Sequence, residues 1–445
     1  AGEDVCNELS YLILHVVGLL KISSPTVGLK WSKKTPEWLM DKAIRTNLAT
    51  RGGIPLFEND DAIIEHYVRD GIPYEEATEW CGLGCVYPCL PTRAEHTGAH
   101  GLGAFNVCGM LWLAMHDGVD INGNQTGLKT GNVREFKDFE ELYSAFLKQH
   151  KFFSHRIFRL GAMARDLEAN YLRLPLISVL SLPAAMELGK DNLKPHPDFA
   201  LQGIGDRAIV DTGDCLYAVK HLVFDEKVLT MSELMDALDN NFEGERGEEI
   251  RQLCLHAPKF GNDDSRVDEM VKRVSDDSGR IIHEYDNSPY RPIMIAREGL
   301  AWHYFGGLGL GATPNGRKAF EPLCDGSASP MRGQDKNGPT AVLRSVINAG
   351  FKDAYACVLN QKINASIVKS EEGVKRLIEY TNAFMGAGGT HIQYNIVDSE
   401  ELKEAKEKPA EYTDLIVRIG GYSAYFIQLS GEIQDDVICR SEFAV

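Results

Sequence analysis

Apolar residues recur at helical spacing over Leu9 to Leu20 and again over Asp60 to Arg69, which makes the start of the chain mainly helical. Between them, Arg51-Gly52-Gly53-Ile54-Pro55-Leu56-Phe57 is punctuated by glycine and proline and reads as a loop or short strand. The helical pattern returns at Phe139 to His150, at Arg156 to Leu172 and at Thr230 to Asn241, where Met231-Ser232-Glu233-Leu234-Met235 has the form of a helix start. Strands are expected at Leu176 to Ser181, Thr340 to Ile347 and Ile392 to Val397. Near the C-terminus, Asp414 to Arg418 reads as a buried strand and Tyr422 to Leu429 as another, so that Ile419-Gly420-Gly421 lies at a tip between them. Strands interleaved with helices throughout give an α/β class, and no short repeat or low-complexity tract interrupts it.

The length of 445 residues fits two or three domains or one large α/β barrel. A net charge of -17 with no basic cluster argues against nucleic acid or an anionic membrane as partner. The longest apolar stretch, Leu12 to Leu20, is interrupted by His15 and too short to span a bilayer, so it reads as a buried helix segment. No secretory signal is expected, and ten cysteines are too sparse for a disulfide framework. A reduced cytoplasmic setting is the expectation, with most thiols acting as small core residues.

A glycine at a strand-loop-strand tip is ordinarily chosen for a left-handed turn or a close backbone approach, and Gly420 is read that way. Gly421 has a second possible use. A radical on a glycine α-carbon is delocalised over the adjacent amide nitrogen and carbonyl, and a side chain would twist that unit out of plane. The run Arg418-Ile419-Gly420-Gly421-Tyr422-Ser423-Ala424-Tyr425-Phe426 resembles the radical loop of the pyruvate formate-lyase-like glycyl radical enzymes, with Gly420 where the family usually has alanine. Further stretches resemble the family in the expected order: Asp214 to Lys227, Lys259 to Asp264, Gly311 to Lys318 and Asn337 to Leu343. Within these, Pro314-Asn315-Gly316 reads as a turn, and Asp263 and Asp264 read as a cap or surface turn.

The resemblance implies a ten-stranded α/β barrel of two antiparallel five-stranded half-sheets surrounded by helices. Residues 1–310 would form the C-terminal part of the barrel domain and residues 311–445 the glycine radical domain. Family members are longer at the N-terminal end, so the chain is expected to lack that part, as a truncation, a processed product or one chain of a split protein. Cys85, in Gly84-Cys85-Val86-Tyr87-Pro88-Cys89, stands where the family has its thiyl cysteine. A thiol suits that role because its S–H bond is close in strength to the C–H bonds involved. Cys81 and Cys89 flank it in a C-x3-C-x3-C run, and His96 and His100 follow; an iron–sulfur or zinc site is the minor alternative, and no bound metal is expected.

Two places after Cys85 the family's dehydratases, choline and sulfonate lyases and hydroxyarylacetate decarboxylases typically carry a proton-shuttling Glu; here the residue is Tyr87, a weak base near neutrality. Tyr87 could stack on an aromatic substrate, and Arg93, His96 or His100 could hold a carboxylate. His116, Arg297 and Glu298 are further candidate contacts, with Glu298 a possible base. These features favour C–C cleavage of a small organic acid, an arylacetate-type decarboxylase. The alternatives are a C–O, C–N or C–S eliminase, a fumarate-adding succinate synthase and an inactive scaffold fragment. The resemblance also implies a radical-SAM activase that installs the radical on Gly421, an anaerobic cytoplasm and a homodimer.

Overall fold

The structure, a computed structural model, describes residues 5–84, 87–91, 102–172, 176, 180, 183–189, 202–285, 293–297, 299, 301–366, 368 and 370–443. In chain order its strands are β1 (Gly28–Trp31), β2 (Leu56–Asn59), β3 (Cys81–Leu83), β4 (Tyr87–Cys89), β5 (Ala104–Asn106), β6 (Gln202–Arg207), β7 (Ile293–Arg297), β8 (Ala354–Cys357), β9 (Leu359–Ile363), β10 (His391–Ile396), β11 (Ile416–Arg418), β12 (Ser423–Tyr425) and β13 (Glu442–Phe443). One sheet has the order β1-β2-β10-β9-β13, parallel throughout except between β2 and β10. A second, all parallel among the described residues, has the order β5-β6-β7-β8. Val358 alone separates β8 from β9, and its amide still donates to the Arg297 carbonyl oxygen at 3.1 Å, so the chain passes from one sheet to the other without a turn.

The five-stranded sheet is two-sided because strand side chains alternate with period two. Register pairs Leu29 with Phe57, Phe57 with Ile392, and Ile392 with Leu359. This apolar face packs on the helices Glu37–Thr50 and Glu371–Gly386. The Phe57 and Tyr394 rings lie 6.0 Å apart, Tyr394 and Thr381 share a hydroxyl hydrogen bond of 2.8 Å, and Trp31 Nε1 donates to Asn382 Oδ1 at 2.8 Å. The opposite face carries Glu58, His391, Gln393, Asn395, Asn360 and Lys362, polar and largely buried. A buried polar face requires polar partners, and the β11/β12 hairpin supplies them.

Hairpin β3/β4 is seated by a smaller cluster in which Tyr87 and Cys89 pack with Ile63, Tyr67, Trp80, Met294, Ala296 and Tyr355. Tyr67 donates its hydroxyl to the Pro88 carbonyl oxygen at 2.9 Å, which ties β4 to the helix Asp60–Arg69. The parallel sheet is backed by the helix Ile209–Val219, buried along its whole length. Gly213 permits the close crossing with Ser265–His283, since a Cβ there would lie 2.4 Å from Val271 Cγ2.

Several sequence expectations change. The helix Glu8–Leu20 forms, but only Leu14 on it is buried; Leu9, Leu12, Ile13, Val16, Leu19 and Leu20 are exposed. Phe139 to His150 and Arg156 to Leu172 belong to one 33-residue helix, Phe139–Tyr171. Thr340 to Ile347 is helical, within Pro339–Ala349: Gly338 caps it, Pro339 occupies a position where a missing N–H costs nothing, and Ala341, Val342, Ser345, Val346 and Ala349 form a buried helical stripe. Leu176 and Leu180, the described residues of the expected strand Leu176 to Ser181, are helical too. The second strand at the C-terminal tip is shortened to β12, because Phe426–Gln428 turns as a 3-10 helix. Expected features that do form are the helix start at Met231, which the structure closes with a capping box from Thr230 to Glu233, the Asp264 cap, the turn closed by Gly316 N–H on the Thr313 carbonyl oxygen at 2.9 Å, and the strand at Ile392 to Val397 as β10. Among the described residues no helix is long and apolar enough to cross a membrane.

The Arg297 guanidinium is fully buried and bonds Asp206 twice, at 3.0 and 2.8 Å, with Ser275 Oγ at 2.7 Å and Ser278 Oγ on Asp206 at 2.7 Å. It locks β6 and β7 to the helix Ser265–His283 and corrects the expectation of a substrate contact. Asp206→Ala strands the cation and is expected to destabilise by about 3–5 kcal/mol, with Asp206→Ala/Arg297→Met less affected; urea midpoints measure both, and equal midpoints for wild type and Asp206→Ala would contradict the account.

Candidate active site

The C-terminal loop is held on the polar face of the five-stranded sheet from every side. β11 and β12 pair antiparallel, and Ile419 N–H closes the loop on the Tyr422 carbonyl oxygen at 2.9 Å. Leu415 through Gly421 are all buried. Gly421 has φ +116°, a backbone state that favours glycine, and so takes the conformational role expected of Gly420. Gly420 is instead the position of close approach, since a Cβ on Gly299 would lie 2.4 Å from its carbonyl oxygen.

Arg418 organises this loop. Its Nη2 donates to the Gly421 carbonyl oxygen at 2.7 Å, Nη1 to Ser423 Oγ at 3.1 Å and Nε to Gln393 Oε1 at 2.7 Å. Its own N–H donates to Asn395 Oδ1 at 2.6 Å, and its carbonyl oxygen accepts from Asn395 Nδ2 at 2.7 Å, so that a side-chain amide on β10 takes the place of a neighbouring strand. Ser423 in turn donates to the Gly52 carbonyl oxygen at 2.6 Å. The glycine pair in Arg51 to Phe57 is explained by this packing: a Cβ on Gly52 would lie 2.3 Å from Ile416 Cγ2, and one on Gly53, at φ +72°, 2.9 Å from Arg418 Cγ.

From the other side Arg440 donates to the carbonyl oxygens of Arg418 and Ile419 at 3.1 and 2.9 Å, and Asn360 Nδ2 also reaches Ile419 O at 3.0 Å. Arg440 is ion-paired with Asp325 and Asp436, each at 3.0 Å. Burial alone would raise the Asp436 carboxyl, yet His303, Arg440 and Arg332 together hold it well below the usual carboxylate range. The carbonyl oxygens of Arg418, Ile419 and Gly421 are thus each met by fixed cationic or amide donors.

Further along the same face are two ionisable groups that the sequence analysis did not single out. Glu58 on β2 is the register partner of His391 on β10. Burial raises the Glu58 carboxyl to about 7, opposed by the cations of Lys30 and Arg418 and assisted by Asp60. Burial, reinforced by Arg418, lowers His391 to about 3, and neither ring nitrogen has a hydrogen-bond partner among the described residues. Glu58 lies toward the cysteine hairpin: a Cβ on Gly82 of β3 would be 3.5 Å from Glu58 Oε2. Leu56-Phe57-Glu58-Asn59 shows no apolar–polar alternation and all four residues are buried, so the sequence carries no signal for Glu58, and a carboxylate there reads as solvent-facing.

The structure puts Tyr87 in the packed cluster beside Tyr67, its hydroxyl directed to Met294 Sδ at 3.3 Å. Cys85 falls between the described ends of the β3/β4 hairpin, and Cys85, Arg93, His96, His100 and Glu298 lie outside the described residues. His116 stacks on Trp112 with ring centroids 3.8 Å apart and bonds Asp239 at 3.0 Å, far along the sequence from both loops.

Because the folded-state pKa of Glu58 lies above its ordinary 4.5, the advantage of the protonated carboxyl is complete below that value and is lost as pH rises through about 7. Glu58→Gln, which cannot ionise, is therefore expected to gain stability relative to wild type by on the order of 3 kcal/mol between about pH 4.5 and pH 8, read from denaturation midpoints at both ends. An unchanged difference at the two pH values would contradict the raised pKa.

Residues 1–297 match the family model described as pyruvate formate lyase-like, and residues 324–427 match the one described as glycine radical. Trans-4-hydroxy-L-proline dehydratase of Clostridioides difficile is 34% identical over 99% of this chain and 55% of its own length. Indoleacetate decarboxylase of Tractidigestivibacter scatoligenes is 31% identical over 99% of this chain and 53% of its own. The glycerol-bound B12-independent glycerol dehydratase from Clostridium butyricum superposes with a TM-score of 0.93 at 32% identity, over 100% of this chain and 56% of that one. The chain spans about half the length of the curated relatives it matches. With its barrel sheets, its buried glycine tip and a family match over most of its length, the chain belongs to the pyruvate formate lyase-like family and includes that family's glycine radical domain.

Proposed function

We propose that this chain is the radical-bearing and thiol-bearing part of a glycyl radical lyase that eliminates a heteroatom group from a small hydroxylated substrate, with Gly421 as the radical store and Cys85 as the hydrogen-abstracting thiol. The observation that carries the reading is the Gly421 tip: a buried glycine in a left-handed conformation with its carbonyl oxygen fixed by Arg418. A radical-SAM activase would install the radical, which supplies the power to remove hydrogen from an unactivated C–H bond through the Cys85 sulfur. This chain's own residues then do three things. Arg418 fixes the Gly421 carbonyl oxygen, while Asn395 and Arg440 hold the carbonyl oxygens of Arg418 and Ile419 just before it; the burial of Leu415 through Gly421 keeps water and stray hydrogen donors away; and Glu58, near neutrality in its titration, accepts or returns the proton that elimination moves.

Glu58 takes this assignment because Tyr87 is packed against Met294 and Tyr67, and a phenol there is a poor base. The same packing weakens the case for Tyr87 as an aromatic-substrate contact, which moves the reading from decarboxylation to elimination. The dehydratase relatives support that choice. Decarboxylation of an arylacetate is the second reading, favoured by the 31% identity to indoleacetate decarboxylase. In either case residues 1–310 and 311–445 act as barrel part and radical part, and Arg93, His96, His100 and Glu298 are substrate-contact candidates. A homodimer in an anaerobic cytoplasm, completed by the remaining length of the relatives, is the expected working form.

The test is anaerobic activation with a cognate activase, S-adenosylmethionine and reductant, followed by product analysis on glycerol, 1,2-propanediol, trans-4-hydroxy-L-proline and indoleacetate. Wild type is expected to eliminate water from a hydroxylated substrate, Cys85→Ser and Gly421→Ala to give only background, and Glu58→Gln to lose turnover chiefly around pH 7. Conversion of indoleacetate alone transfers the assignment to decarboxylation, and activity surviving in Cys85→Ser overturns both.

A further inference from the structure

We propose that Cys81 and Cys89 form a reversible disulfide site across the base of the β3/β4 hairpin, with a low-molecular-weight disulfide as oxidant. The two are register partners in the β3/β4 ladder, and their sulfurs lie 3.5 Å apart. Directly opposed residues of an antiparallel pair have Cα atoms about 4.5–5.5 Å apart, within the span of about 4.4–6.8 Å that a disulfide bridges. The bond therefore needs side-chain rotation and no backbone displacement. β4 is anchored by Tyr67 on the Pro88 carbonyl oxygen and by Tyr87 on Met294, so Cys89 stays fixed while the more accessible partner moves.

The two thiols differ in the way such a reaction uses. Cys81 is exposed and Cys89 buried. Burial, with the hydrogen bond to Cys81, raises the Cys89 thiol to about 12, which leaves Cys81 to make the first attack. Cys81, as thiolate, attacks one sulfur of the external disulfide, breaking its S–S bond and releasing one thiol. Cys89 then gives up its proton and attacks the Cys81 sulfur, releasing the second thiol as the Sγ–Sγ bond forms. Two electrons pass from the cysteines to the external disulfide, and the two cysteine protons end on the released thiols. The loop so closed is short, and a short loop adds little entropic stabilisation to the bond, which keeps it reducible. Once closed, it staples β3 to β4 at Cys81 and Cys89.

The reduced chain, equilibrated anaerobically over a range of oxidised to reduced glutathione ratios, quenched with acid, alkylated and mapped by mass spectrometry, tests the site. Cys81 and Cys89 are expected to lose reactivity together, with the peptide that holds both two hydrogens lighter and restored by dithiothreitol, while Cys85 remains alkylatable. In Cys81→Ser, a substitution at an exposed position, Cys89 should stay alkylatable throughout. The proposal fails if both thiols remain free over the whole range, if Cys85 is bridged to either, or if glutathione accumulates on Cys81 without an internal bond.

Discussion

The arrangement turns on one buried cation. Arg418 sits at the end of β11 with its guanidinium spread over Gly421, Ser423 and Gln393, and its main chain paired with the Asn395 amide. A buried guanidinium has to place its donors on acceptors, and it does so here on the loop it must hold still and on the sheet that holds it. This accounts for features that otherwise look unrelated. β10 alternates His391, Gln393 and Asn395 on its inner face because that face receives Arg418. Gly52 and Gly53 lack side chains because the loop lies against them.

Around that cation the electrostatics divide in two. Toward the C-terminal helix, Arg440, Asp325, Asp436, Arg332 and His303 balance one another, and the loop carbonyls accept from Arg440. Toward the cysteine hairpin, Glu58 and His391 are left as the groups whose ordinary charges burial removes. The first half is a scaffold with its charges paired; in the second His391 is held neutral and Glu58, the group that titrates near neutrality, lies toward β3. Under the proposed function such a site would hold Gly421 rigid while Glu58 keeps its proton exchangeable, the division of labour that a hydrogen-atom reaction coupled to proton transfer requires.

The chain's own pattern made much of this legible, and the failures have physical causes. The tip at Gly421 and strands β10 and β11 could be read because each is a short apolar or alternating run with a glycine at its boundary. Val342, Val346 and Ile347 carry strand propensity, yet Pro339–Ala349 is a helix because Gly338-Pro339 starts it and its buried residues follow helical spacing. The exposed face of Glu8–Leu20 departs from the rule that apolar helices are buried, since only Leu14 of that helix meets the core. Glu58 and His391 were hidden for a deeper reason. A barrel whose inner face is polar inverts the usual sense of alternation, so its most important strand positions look like surface ones.

The proposed chemistry requires an unpaired electron on the α-carbon of Gly421. Anaerobic electron paramagnetic resonance of the chain after treatment with a cognate activase, S-adenosylmethionine and reductant is predicted to show a doublet from the single α-hydrogen of Gly421. It should collapse to a singlet when the glycines are deuterated at the α-carbon and be absent from Gly421→Ala. A doublet that survives in Gly421→Ala, or no signal from a folded chain that the activase has acted on, would contradict the central claim.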